Sequence, residues 1–154
     1  MAIFHHAIDV VASREACWHA FADLTSWPRW FPRLRSAAAL PDERLAEGAP
    51  FCVGGELELH IEAGPLGDKA VRVVVRECER GARVRWTGGV LGIKVNHVYS
   101  FEDKAPGATR VTSHEELEGM AARLLPGRVL QQIDREAHDA LASFKRLVEE
   151  RGAR

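Results

Sequence analysis

The sequence predicts an α+β fold in which a curved antiparallel sheet of about seven strands wraps around one long C-terminal helix. Two patterns predict it. Apolar and polar residues alternate along successive segments that are separated by hairpin-length turns, which is typical of antiparallel strands with one buried face. From Arg128 onward, apolar residues instead recur every three or four positions over roughly 20 residues, which is typical of an amphipathic helix.

The composition is that of one globular domain, which we expect to span residues 1–154. The chain is 46% hydrophobic and 28% charged, and it is long enough to bury a sizeable core. Its 21 basic and 22 acidic residues give a net charge of -1, so nothing favours a nucleic-acid partner. No apolar run approaches the roughly 20 residues that span a bilayer, and we expect no stable membrane insertion.

The cysteines and histidines bear on location and cofactors. Cys17, Cys52 and Cys78 are odd in number and far apart, which fits reduced thiols in a cytoplasm. The N-terminal residues lack the charged and apolar regions of a signal peptide, so we expect a cytoplasmic protein, either a monomer or a homodimer.

None of the seven histidines has metal-ligand spacing, and there is no phosphate-binding loop. We therefore predict no metal and no cofactor.

The N-terminal third is predicted to hold one strand and two short helices. Alternation predicts a strand over Phe4 to Ala12. Ser13 can cap a helix over Arg14 to Leu24. Pro28 suits the first turn of a second short helix, and Pro32 would end it.

Strands then follow up to the long helix. The clearest alternation runs from Phe51 to Ile61, with Gly54-Gly55 predicting a bulge or bend within it. A turn is predicted at residues 64–68. Further strand faces begin at Val71, Val84, Val95 and Val111, after an earlier strand over Leu34 to Leu40.

Polar residues interrupt the inner faces of the last two strands. His97, Tyr99, Ser113 and Glu115 share their faces with apolar residues at alternate positions. Burying such groups is costly unless they meet partners, water or a ligand. An apolar interior with a few convergent polar groups is typical of a small-molecule pocket. The predicted ligand-binding residues are Leu59, Val73, Trp86, His97, Tyr99, Ser113, Glu115, Leu130 and Ile133.

The strongest candidate for chemistry is His97 with Glu115. If the hairpin pairs Phe101 with Val111, then His97 lies directly opposite Glu115, with Cβ atoms about 5 Å apart. A carboxylate beside an imidazole can make it a general base that removes a proton next to a carbonyl. The pair can equally be a buried hydrogen bond that polarises one wall, which we favour. A register slip of two residues would break the pairing.

Two other segments allow alternatives. Trp86 and Tyr99 can form flat walls for a ring-shaped ligand, and core packing explains them equally well. Leu124-Leu125-Pro126-Gly127 must interrupt the C-terminal helix, either as a simple kink or as a flap at the cavity entrance.

Four segments carry a family resemblance. Val11 to Asp23 and Trp27 to Pro32 resemble the opening of the START-like (SRPBCC) superfamily, and they are most similar to its polyketide cyclase/dehydrase-like bacterial branch. Thr109 to Thr112 and Leu141 to Leu147 resemble its closing segments. The resemblance implies a helix-grip fold with an internal cavity. The branch includes lipid carriers, cyclases and chaperone co-factors, so it leaves function open.

Two functions follow as expectations. The first is a carrier or sensor that binds a small hydrophobic molecule, lipid-like or aromatic, between the sheet and the C-terminal helix. The second is a cyclase or dehydratase that uses His97, Tyr99 and Glu115. The first is preferred because no constellation in the sequence demands chemistry.

Overall fold

The computed structural model describes residues 1–62 and 67–153. The centre of the turn predicted at 64–68 lies outside these residues. The strands of the described chain are β1 (Ala2–Val10), β2 (Leu34–Ala39), β3 (Glu56–Glu62), β4 (Asp68–Glu79), β5 (Arg83–Val90), β6 (Ile93–Ala105) and β7 (Ala108–Glu118). The helices are α1 (Arg14–Ala22), a 3₁₀ helix (Leu24–Arg29), α2 (Met120–Arg123) and α3 (Gly127–Gly152).

The seven described strands form one antiparallel sheet in the order β1-β7-β6-β5-β4-β3-β2. The first and last described strands are neighbours in it, because β1 pairs with β7 from Ala2 opposite Leu117 to Val10 opposite Thr109. Register shifts in β2, β4 and β6 mark bulges, which bend a sheet. The long helix α3 packs against β1, β7 and α1. The predicted helix-grip arrangement is confirmed.

An aromatic core fills the space between α1 and the middle of the sheet. Phe21 on α1 is fully buried, and its ring centroid lies 5.0 Å from that of Tyr99 and 5.2 Å from that of Phe101. Trp27 of the 3₁₀ helix lies 5.3 Å from the same ring. Its indole Nε1 donates a hydrogen bond of 2.7 Å to the Phe21 carbonyl. This bond satisfies a buried donor and fixes the 3₁₀ helix against α1.

Two local predictions were wrong. The strand predicted from Phe51 begins only at Glu56, because Gly54 adopts a positive φ of 85° and turns the chain before the strand starts. Backbone bonds from Gly54 to Val75 still hold this turn against β4. The second short helix starts before the position predicted, so Pro28 lies near its end and not in its first turn.

The predicted interruption before the long helix is confirmed. The four-residue α2 ends at Arg123, and Pro126 is extended immediately before α3. Pro can occupy this position because the first N–H groups of a helix have no intrahelical acceptor. Among the helices of the described chain, none combines the length and the apolar character needed to cross a membrane.

We predict that Phe21→Ala lowers the free energy of unfolding by about 3–5 kcal/mol, because it leaves a cavity at the centre of the aromatic core. Urea-induced unfolding measures this loss. The control Val11→Ala removes methyl groups from a side chain that is 73% exposed and should change stability by less than about 0.5 kcal/mol. A similar loss in both variants would contradict the placement of the core.

Candidate functional site

A cavity of about 290 Å³ lies between the inner faces of β5, β6 and β7 and the N-terminal half of α3. The segment before β2 and the end of β3 close its other side. Most of its lining is apolar, and the polar side chains are gathered on one wall and at the rim. The lining residues are Phe31, Pro32, Arg33, Ile61, Glu62, Val90, Ile93, Val95, His97, Tyr99, Ser113, Glu115, Leu117, Leu125, Ile133, Glu136, Ala137 and Ala140.

The cavity exists because the two halves of α3 pack differently. In the C-terminal half, Leu141, Phe144 and Val148 are buried in the main core. In the N-terminal half, Ile133 and Ala137 face the sheet and stay only partly covered. The small side chains of Ala137 and Ala140 cannot fill the distance to the strands, so space remains between helix and sheet.

The β6–β7 register places the polar residues together. Phe101 pairs with Val111, Tyr99 with Ser113 and His97 with Glu115. This is the register on which the sequence hypothesis depended. Since side chains alternate between the two faces of a strand, these residues share the inner face, where Phe101 and Val111 join the core and the other four line the cavity.

His97 connects two residues of the opposite strand. Its Nδ1 lies 2.9 Å from Glu115 Oε2, and its Nε2 lies 2.8 Å from Ser113 Oγ. The side chains of His97 and Glu115 are 6% and 21% exposed. An ionised carboxylate can only accept a hydrogen bond, so neutral His97 carries its proton on Nδ1 and Ser113 donates to Nε2. The imidazole is therefore held at both nitrogens.

Burial and charge act on two groups of this wall. Burial opposes ionisation of Glu115, but the electrostatic attraction to the His97 ring and the hydrogen bond with it outweigh this and hold the Glu115 pKa below its usual value. Burial raises the pKa of Tyr99, which the hydrogen bond with Ser113 partly opposes. Near neutral pH the wall therefore presents an ionised carboxylate beside a protonated phenol.

The structure separates the predicted ligand-binding residues into two groups. His97, Tyr99, Ser113, Glu115 and Ile133 line the cavity. The other four, Leu59, Val73, Trp86 and Leu130, lie away from it.

Packing explains why these four residues do not reach the cavity. Leu59, Val73 and Trp86 belong to the main core, because the short helices cover that part of the sheet. Trp86 lies behind the wall, with its ring centroid 5.2 Å from that of His97. Leu130 packs against a smaller apolar cluster formed by Phe4, Leu117 and Ala122.

Several cavity residues were missed by the sequence reasoning. Val95 and Leu117 share the alternation of the polar residues and could have been found from it. Arg33 had no sequence signal: it adopts a positive φ of 61° at the turn into β2. Its Nε lies 2.9 Å from Glu136 Oε1 of α3, so this ion pair joins the two sides of the rim.

No group of three or more His, Cys, Asp or Glu in residues 1–62 and 67–153 is arranged to hold a metal.

The sequence identifies the family of the chain. The family model described as "Polyketide cyclase / dehydrase and lipid transport" matches residues 1–149. The chain belongs to this family. A search among curated proteins found no match.

Several solved structures share the fold. A START superfamily protein from Mycobacterium smegmatis is 18% identical over 96% of this chain and 97% of that one, with a TM-score of 0.74. The hypothetical protein jhp0584 from Helicobacter pylori is 13% identical over 96% and 88%, with a TM-score of 0.76. The di-domain ARO/CYC BexL from the BE-7585A biosynthetic pathway is 18% identical over 97% and 47%, with a TM-score of 0.72. At such identities the likeness shows the START-like helix-grip fold alone.

We predict that Glu115→Gln lowers the free energy of unfolding at pH 7 by about 2 kcal/mol, because it removes a charged hydrogen bond to buried His97. The Glu115 pKa is depressed in the folded state. Its stabilisation is therefore complete above the unfolded-state pKa of about 4.3 and is lost as pH falls through the folded value. Urea-induced unfolding measures the free energy of unfolding of Glu115→Gln and of the natural chain. The difference between the two should be smaller at low pH than at pH 7. The exposed control Glu56→Gln should show no such loss at either pH. An undiminished difference at the lower pH would contradict the ion pair.

Proposed function

We propose that this protein binds a small hydrophobic, ring-shaped molecule in the cavity under α3 and acts as its carrier or sensor. The observation that carries the proposal is the combination of an apolar lining with one polar wall formed by His97, Ser113 and Glu115. Apolar surface supplies most of the affinity in such pockets, and a few placed polar groups fix orientation.

The size of the cavity narrows the ligand class. A volume of about 290 Å³ corresponds to about ten water molecules at ~30 Å³ each, which is near the lower end for small-molecule sites. A compact ring system fits this space, whereas a lipid with two acyl chains exceeds it. Of the lipid-like and aromatic ligands that the sequence allows, the cavity therefore favours the aromatic class.

The comparisons support a ligand-binding role in general terms. The family description includes both lipid transport and polyketide cyclase or dehydrase proteins. These descriptions have in common an apolar molecule held by the protein. The free thiols of Cys17, Cys52 and Cys78 support a cytoplasmic location, which we propose together with a single-domain organisation.

The second candidate is a cyclase or dehydratase, and the His97–Glu115 contact favours it. A neutral imidazole oriented by a carboxylate can remove a proton next to a carbonyl, with Tyr99 as a hydrogen-bond donor to the oxygen. Under this alternative, replacing His97 abolishes turnover and leaves ligand affinity unchanged. Under the carrier proposal, the same replacement weakens binding, and neither form shows turnover.

We predict that 1-naphthol, a compact aromatic alcohol, binds to the cavity and that Ala137→Phe weakens this binding at least tenfold. The added ring would occupy the space beside the polar wall. Isothermal titration calorimetry or ligand fluorescence measures the dissociation constant, in which each tenfold change is about 1.4 kcal/mol.

The matched control for this test is His138→Phe. It adds the same ring at the next position of α3, where the side chain is 70% exposed and does not line the cavity. The control should bind 1-naphthol as the natural chain does. Equal affinity of Ala137→Phe and the natural chain would place the ligand elsewhere, and absence of binding in all three would count against this ligand class.

A further inference from the structure

We propose that Ser113, His97 and Glu115 form a hydrolytic triad that cleaves small, neutral, apolar esters or thioesters inside the cavity. The proposal rests on the proposed function, because the substrate must enter the same apolar site. It goes beyond binding because it makes Ser113 a nucleophile, which a carrier or sensor does not need.

The order of contacts is that of nucleophile, base and orienting acid. Ser113 Oγ lies 2.8 Å from His97 Nε2, and His97 Nδ1 lies 2.9 Å from Glu115 Oε2. A base within hydrogen-bond reach of a hydroxyl, itself oriented by a third group, is the arrangement that activates serine for acyl transfer. Glu115 fixes the tautomer that leaves Nε2 free to accept the Ser113 proton.

The strands explain why the three groups meet. Ser113 and Glu115 are two residues apart on β7 and point to the same face. His97 stands opposite Glu115 on β6, so its ring reaches between them. A ladder of backbone hydrogen bonds holds both strands, and the triad is therefore preorganised without a loop.

Access to the nucleophile is through the cavity. Ser113 is only 3% exposed, yet it is among the cavity-lining residues, as are His97 and Glu115. A substrate carbonyl and the water that later attacks the acyl-serine can both reach Ser113 Oγ through the cavity.

Tyr99 supplies a hydrogen-bond donor for the developing oxyanion. It lies opposite Ser113 on β7, and both side chains line the cavity. Burial keeps its phenol protonated, so it can donate to an oxygen that carries negative charge. Its ring also stacks on His97, with centroids 4.6 Å apart, which fixes both side chains.

The reaction balances without a cofactor. Ser113 Oγ forms a bond to the carbonyl carbon as its proton passes to His97 Nε2. The tetrahedral intermediate collapses, the bond to the leaving oxygen or sulfur breaks, and His97 returns the proton to that atom. Water then attacks the carbonyl carbon of the acyl-serine and gives a proton to His97 Nε2. The bond between that carbon and Ser113 Oγ breaks, and His97 returns the proton to Oγ. The net change is ester or thioester plus water to acid plus alcohol or thiol.

The charges around the cavity set the substrate class. Glu62, Glu115 and Glu136 contribute three carboxylates to its lining, and the guanidinium of Arg33 is engaged by Glu136. These carboxylates would repel an anionic acyl group, and Arg33, the arginine among the described lining residues, is already paired with Glu136. A neutral ester with a compact apolar group matches both the charge and the volume.

Labelling with diisopropyl fluorophosphate tests the nucleophile directly. This small apolar reagent forms a serine–phosphorus bond and releases fluoride when a serine is activated. Intact-mass spectrometry should show one adduct on the natural chain, and peptide mapping should place it on Ser113. The adduct should be absent from Ser113→Ala and slowed about 10²-fold or more in His97→Gln.

The matched control for labelling is Ser100→Ala. Ser100 lies on β6 but does not line the cavity, so its replacement should leave labelling unchanged. No adduct on the natural chain, or an adduct mapped to another serine, overturns the proposal. Because mapping uses the natural chain, this result is decisive even where Ser113→Ala does not fold.

Hydrolysis of 1-naphthyl acetate tests Glu115 as a positioning residue. Glu115→Gln should lower kcat about 10²-fold while changing KM less than tenfold. A purely structural role would raise KM and weaken naphthol binding as much as it slows turnover. Binding of 1-naphthol without labelling or hydrolysis would reject the triad and keep the proposed function, whereas failure to bind 1-naphthol would count against the proposed function itself.

Discussion

The register between β6 and β7 determines what the cavity can do. It places His97 opposite Glu115 and beside Ser113, so that both imidazole nitrogens have a partner. A shift of one residue would turn these side chains to the outer face of the sheet. A shift of two would leave buried polar groups without partners, at a cost of about 1–3 kcal/mol each. The apolar faces of the same strands hold the register, so core and polar wall are specified together.

A second constraint comes from α3, which serves both stability and access. Its C-terminal half is buried against the aromatic core around Phe21, while its N-terminal half covers the cavity with small side chains. The Arg33–Glu136 pair joins this half to the segment before β2. Exposed ion pairs contribute about 0–1 kcal/mol, so the cover over the cavity is held much less strongly than the rest of the helix.

The sequence reveals much of this through its two periodicities. Alternation along β6 and β7 was enough to place His97 and Glu115 on the inner face, but their direct pairing depended on a register that the sequence left open and that the structure has. It was not enough to separate Trp86 and Leu59 from the cavity. Both residues face inward as predicted. The short helices cover only part of the inner face, and the extent of that part depends on sheet curvature and long-range packing. Periodicity along a strand does not encode either of these. The left-handed backbone conformation of Arg33 could not be predicted either, because no neighbouring residue in the sequence indicates it.

The central claim is that the β6–β7 hairpin orients the His97 imidazole with Nδ1 facing Glu115 and Nε2 facing Ser113. Nitrogen-15 NMR of the histidine side chains near pH 8 measures this directly, because protonated and unprotonated ring nitrogens have well-separated shifts. We predict a single His97 signal set with Nδ1 protonated and Nε2 unprotonated, and a change in the Nε2 shift in Ser113→Ala. A proton on Nε2, or rapid exchange between both tautomers, would contradict this claim.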